Sequence, residues 1–206
     1  MKTIVQLTFI SVALIILSSC AKIFYSADAI PLAHAQNTIA IIPPTVSIAA
    51  GRKTDADAIK EQQKTESLNF QKEMYAWMLK RKMQGGITQE IQDVETTNSK
   101  LKKAGYPETP MSPSEICVVL GVDGIMGSNY ALSKPMSDGA AVAVALLGGA
   151  GATNEVRVSI NINDCTNKKL IWNYDHKYSG GLGSSPSQLI DAIMRQASKK
   201  MPYITQ

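Results

Sequence analysis

Charge is what this sequence has little of. Only 18% of its 206 residues are charged, against 45% hydrophobic, which excludes a disordered tail and a charge-rich coiled coil. The basic excess is small: 21 Lys and Arg against 17 Asp and Glu leave a net charge of +4. Nucleic-acid binders carry a stronger, clustered basic footprint, so no nucleic acid is expected as a partner. Fourteen Gly and nine Pro are ordinary numbers, which excludes collagen-like and linker-like chains. Histidine is scarce, with His34 and His176 alone. No second His, paired Cys or HExxH pattern completes a metal site around either. A G-x-S-x-G elbow and a Ser/His/Asp set are also missing. The expectation is a protein without catalytic residues, metal or cofactor.

What is present begins at the amino terminus. Met1-Lys2 is a short positive start, and residues 3–17 carry no charge and are mostly apolar. Such a run fits a signal-peptide core and falls short of the ~20 residues of a spanning helix. Leu17-Ser18-Ser19-Cys20 follows directly and resembles the bacterial lipobox. The resemblance implies diacylglycerol on the Cys20 thiol, cleavage before Cys20, and anchoring in a lipid bilayer. Several acyl chains on one residue anchor stably, because each buried methylene adds about 0.8 kcal/mol. Two other readings compete: cleavage after Ala33-His34-Ala35, which lies far beyond the apolar core, and an uncleaved anchor, which Lys22 interrupts. Ala21, not Asp, follows the cysteine, which in the enterobacterial sorting rule resembles an outer-membrane destination. The expected division is a leader at 1–19, a lipidated tether at 20–37 and one domain at 38–206. As a flexible coil the tether would reach roughly 20–25 Å. Of three cysteines, Cys117 and Cys165 remain in a disulfide-permitting compartment. Spacing alone does not establish whether they pair, or whether Cys117 is buried on a helix and Cys165 sits in a hairpin turn.

The domain alternates strand and helix periods. Thr38–Pro43 reads as a buried strand stopped by Pro43-Pro44, and 45–54 as a loop. Asp55–Gln84 reads as a long helix with Ile59, Phe70, Met74, Trp77, Met78 and Met83 at helical spacing, ended by Gly85-Gly86. Ile87–Val94 is assigned to a strand and Val94–Ala104 to a helix. Ser112-Pro113-Ser114-Glu115 is a capping box that opens a helix closed by Gly121. Gly124–Ser133 reads as a strand. In Glu155–Asn163, Val156, Val158, Ile160 and Ile162 alternate with polar residues. Leu170–Tyr178 completes a hairpin, with Leu170, Trp172, Tyr174 and Tyr178 on one core-facing row. Ser185-Pro186-Ser187-Gln188 caps a last helix with Leu189, Ile190, Ile193, Met194, Ala197 and Met201 on its buried stripe. The expected class is α/β (α+β), a mixed sheet of about five strands covered by helices, in the order β-α-β-α-α-β-β-β-α.

Three glycine stretches bear on function. Gly51-Arg52-Lys53-Thr54 lacks the first Gly and the Lys of a P-loop. The 180–186 loop precedes a helix as a phosphate site would, but Pro186 donates no N–H; it is the small-ligand alternative. Asp138–Thr153 is Gly/Ala-rich and reads as a packed helix or a flap that contacts a membrane or partner.

The order of elements is similar to that of envelope lipoproteins of the Bacteroidetes type. So are the hairpin Ile160–Tyr178 with Lys168-Lys169-Leu170-Ile171-Trp172, the closing Ala197–Tyr203, and the segments Gln92–Asn98 and Leu120–Met126. The broader resemblance is to the superfamily of the TolB amino-terminal domain, which includes the curli secretion lipoprotein and the lipoprotein activator of penicillin-binding proteins. It covers about residues 38–203. It implies a non-enzymatic module that binds an envelope protein, or alternatively a self-assembling secretion or pore component.

Overall fold

A computed structural model describes residues 21–49, 55–133, 155–179 and 185–204. Seven strands form one mixed, open sheet in the order β1-β7-β6-β5-β2-β4, with β3 also paired to β5. The strands are β1 (Lys22–Tyr25), β2 (Thr38–Ile41), β3 (Thr45–Ile48), β4 (Glu90–Ile91), β5 (Gly124–Leu132), β6 (Glu155–Asp164) and β7 (Lys169–Ser179). The helices are α1 (Ala29–Ala35), α2 (Ala56–Met83), α3 (Val94–Lys103), α4 (Pro113–Leu120) and α5 (Pro186–Ala197), followed by a 3-10 turn at Ser198–Lys200. The α/β class is as expected. The sheet is larger than expected, because two strands and one helix were not legible.

The sheet is buried on both faces where β2 and β5 run side by side in parallel. Ile39 and Ile41 point to the main core, and Ala40 points to the second. A strand covered on both sides needs a nearly continuous apolar run, which TIAI supplies. The main core lies under α2 and α5, where Phe70, Met74 and Met78 meet Tyr130, Ile160 and Ile193. Each such fully buried side chain contributes about 1.5–3 kcal/mol over its exposed state. The second core packs α3 and α4 on the other face through Leu101, Ile116, Leu120 and Ile125. Gln71 joins the two layers: its amide donates to the Ile41 carbonyl at 2.8 Å and exchanges hydrogen bonds with Asn98 at 2.9 and 2.8 Å.

Helix ends follow the local chemistry. Ser112 and Glu115 form the reciprocal capping box, and Gly121 ends α4 in the left-handed region at φ 64°. Asp93 caps α3 by accepting from the Thr96 N–H at 2.7 Å. Ser185 caps α5 by accepting from the Gln188 N–H. α5 buries Leu189, Ile190, Ile193, Met194 and Ala197, the expected stripe.

Four expectations need correction. The 45–54 loop begins instead with β3, which pairs in parallel with Asn129–Leu132. Pro43-Pro44 interrupts the ladder by one register step, and pairing resumes because Val46 and Ile48 alternate into the core. Met83 leaves the stripe of α2 and is 89% exposed, since the helix has run past the sheet. Leu170 leaves the hairpin row. A bulge sets Trp172 opposite Ile162 but Leu170 opposite Asn163, so Ile171 takes the extra place and Leu170 turns outward. The fourth concerns residues 21–37, which are not a tether. β1 pairs antiparallel with β7 from Lys22↔Asp175 to Tyr25↔Trp172. α1 then buries Ala29 and Ala33 in the main core. Pro31 sits in the first turn of α1, where no N–H is needed.

Two features tie distant segments together. Cys117 of α4 and Cys165 of the β6–β7 turn form a disulfide with Cα atoms 5.5 Å apart. The second is a buried polar knot. The Gln36 amide donates to Asp164 at 2.8 Å, and the Tyr203 hydroxyl donates to Gln36 Oε1 at 2.5 Å. Gly124 is required beneath this knot, because a Cβ there would lie 2.0 Å from Gln36 Oε1.

Two outcomes are expected in urea unfolding. Replacing both Cys117 and Cys165 with Ala should lower stability by about 4 kcal/mol, the loop-closure value for this span. Gly124→Ala should lower it by about 2–4 kcal/mol through overpacking and a broken buried hydrogen bond. An unchanged midpoint for Gly124→Ala would show that the knot is not rigid.

Candidate functional site

Cys20, the expected lipid-attachment residue, lies outside the described residues, as do Gly181–Ser184 of the glycine loop and the 138–153 segment. The chain is folded from the residue after Cys20. Ala21 packs against the main core, and β1 starts at Lys22 on the sheet edge. The 20–25 Å of flexible reach is therefore replaced by strand pairing. Cleavage after Ala35 would discard β1 and α1, and with them Ala33, whose carbonyl accepts from the buried Gln89 amide at 3.0 Å. The fold thus places a structural cost on that reading.

Around β1 the surface is unusual for this molecule. Ile23, Phe24, Tyr25 and Ile30 are all exposed. The Tyr25 hydroxyl donates to the carbonyl of Lys200, which ties β1 to the turn after α5. Two shallow depressions flank this tie. One, of about 530 Å³, lies between α1 and the carboxyl-terminal segment, with Ile30, His34, Lys199 and Ile204 on its wall. The other, of about 400 Å³, lies between β1, β7 and α5, with Ala21, Ile23, His176 and Lys200 among its lining. Lys199 and Lys200 belong to both. Asp28, at the start of α1, is held by Lys169 at 2.5 Å. That hydrogen-bonded lysine and Ser26 keep the Asp28 carboxyl below its ordinary range.

The wall of the second depression is an aromatic row on β7. His176 meets the Tyr178 ring edge-on at 4.3 Å, and the Tyr174 and Tyr178 hydroxyls lie 2.9 Å apart. Burial lowers the His176 pKa, against a smaller opposing pull from Asp175. Burial raises both phenols, and in Tyr178 the neighbouring Tyr174 hydroxyl raises it further. Both phenols therefore stay protonated near neutral pH, and the row is a polar-aromatic wall. Trp172 and Tyr174 face the core, as expected of that row. Sequence reading missed the β1–α1 surface because four strand residues and one short helix carry too little periodicity. The available signal was KIFY, three adjacent large apolar residues after one lysine.

Among the described residues, no helix is long and apolar enough to cross a membrane, and no cluster of His, Cys, Asp and Glu could hold a metal ion.

No protein-family model matches the chain. No annotated protein matches it in sequence. Solved structures with similarity include lipoprotein GNA1162 from Neisseria meningitidis, at 13% identity and a TM-score of 0.44, covering 80% of this chain and 99% of that one. The PelC dodecamer from Paraburkholderia phytofirmans is 11% identical with a TM-score of 0.43, covering 91% and 99%. The LpoB carboxyl-terminal domain from Salmonella enterica is 8% identical with a TM-score of 0.34, covering 69% and 82%. At these values the likeness assigns neither a family nor a function.

Proposed function

We propose that this chain is an exported lipoprotein, acylated on Cys20 and held on the periplasmic face of the outer membrane. Its α/β body acts as a non-enzymatic binding or assembly module for another envelope protein. The observation that carries the reading is the Cys117–Cys165 disulfide. Structural disulfides persist in oxidising compartments, which fits export across the inner membrane. The same bond uses both cysteines other than Cys20. Cys20 is then left without an intrachain partner, in the lipobox-like Leu17-Ser18-Ser19-Cys20 context that calls for acylation. The protein partner follows from the resemblance to envelope lipoproteins.

Metabolic labelling with an alkynyl palmitate tests the anchor. The natural chain should incorporate label into the membrane fraction, and Cys20→Ala should lose it entirely. Label retained in Cys20→Ala would contradict the assignment.

A further inference from the structure

We propose that the surface formed by β1, α1 and the Ser198–Lys200 turn is a membrane-docking face, occupied by an anionic phospholipid bilayer. The proposal rests on the anchor reading of Cys20 and goes beyond it, because it fixes how the body sits.

Chain length holds the body close to the anchor. Cys20 directly precedes Ala21, and consecutive Cα atoms are about 3.8 Å apart. Ala21 is packed on the core, and Lys22 is already in register with Asp175. Acyl chains on Cys20 leave the protein within one residue of folded structure. The body has no slack with which to stand off, so it rests on the leaflet that holds those chains.

The surface beside the anchor is apolar. Ile23, Phe24, Tyr25 and Ile30 are 37%, 48%, 41% and 56% exposed. They are half of the eight exposed large hydrophobics among the described residues, gathered within eight positions along one sheet edge. Ile23 and Tyr25 lie on the side of the depressions and Phe24 on the other side of the strand, so the edge is apolar on both sides. Clustered exposed apolar groups mark an interaction surface. Aromatic rings suit the headgroup level, where one end is apolar and the other wet.

Positive charge rims the same surface. Lys199 and Lys200 line both depressions beside β1. Lys22 lies opposite Asp175. The nearby Asp28 is neutralised by Lys169. Two lysines at the rim of an apolar patch attract anionic headgroups, while their stems cover apolar surface. A protein strand added to the open edge of β1 would account for the edge alone. It would not account for Ile30, the lysines, or a bilayer one residue away.

The test uses the acylated protein in vesicles of phosphatidylcholine doped with phosphatidylglycerol, with plain or brominated chains. Phe24→Trp is read against the parent, whose own Trp77 and Trp172 emission is subtracted. Bromolipid should quench Phe24→Trp. Met83→Trp should keep its emission, because Met83 ends α2 beside Lys82, which bonds Glu90 of the opposite edge strand at 2.7 Å. Replacing Lys199 and Lys200 with Gln should lower the ratio of docked to undocked protein about fivefold per lysine. Equal emission from Phe24→Trp in plain and brominated vesicles overturns the proposal, as does equal quenching at positions 24 and 83. Emission from position 24 that is blue-shifted without vesicles and reverts on dilution shows a second copy on this edge, and also overturns it. Ile30→Trp reads the α1 side of the same edge if Phe24→Trp does not fold. Intact mass of the same sample separates the two failures. Acylated but unquenched protein contradicts docking alone, whereas unacylated protein contradicts the anchor and the docking with it.

Discussion

Burying the Gln36 amide beside the Asp164 carboxylate is costly unless each polar atom has a partner. The chain meets that condition by bringing three distant segments to one point. Gln36 arrives at the end of α1, Asp164 at the end of β6, and Tyr203 near the end of the described chain. Asp164 completes its bonds with the Asn167 N–H and side-chain amide at 2.7 and 2.8 Å. Burial and the Asp164 charge push the Tyr203 phenol upward, so it stays a donor. The bare backbone of Gly124 makes room beneath. A polar cluster satisfied in only one arrangement specifies that arrangement.

This constraint reaches the amino terminus. With Gln36 fixed, α1 is held over the sheet and β1 is returned to the edge beside β7. The Tyr25–Lys200 hydrogen bond closes the same corner from the carboxyl-terminal side. Ala21 packs against the main core, so a lipid on Cys20, if acylated as proposed, would be one peptide unit from the body. The proposed anchor and the exposed apolar strand would then be parts of one surface. Away from β1, the sheet ends in β4 of two residues and in β3 of four, short edges that leave little ladder for unwanted pairing.

Much of this fold is legible where local chemistry and tertiary demand agree. The Ser112-Pro113-Ser114-Glu115 box, the left-handed Gly121, the strict alternation of β6 and the stripe of α5 all appear where the residues place them. The failures have specific causes. Pro43-Pro44 reads as a stop, but β5 offers edge on both sides of the prolines. The hairpin row reads as period two throughout, and one bulge at Ile171 reverses Leu170. β1 and α1 are short, and their order comes from partners more than 140 residues away, such as Ile171 and Lys169. The disulfide stayed open because sequence separation does not report Cα distance. For the site, the residue types of the lipobox are readable, while the apolar surface beside it is created by the pairing of β1 and has no period of its own.

The account depends on where the mature chain starts and what that residue carries. Intact-mass and peptide mass spectrometry of protein purified from the membranes of its native cells measure both at once. The predicted result is a first residue of Cys20 bearing a thioether-linked diacylglycerol and an acylated amino group. A mature chain starting at Gln36, or one retaining Met1 with an unmodified Cys20, would contradict it.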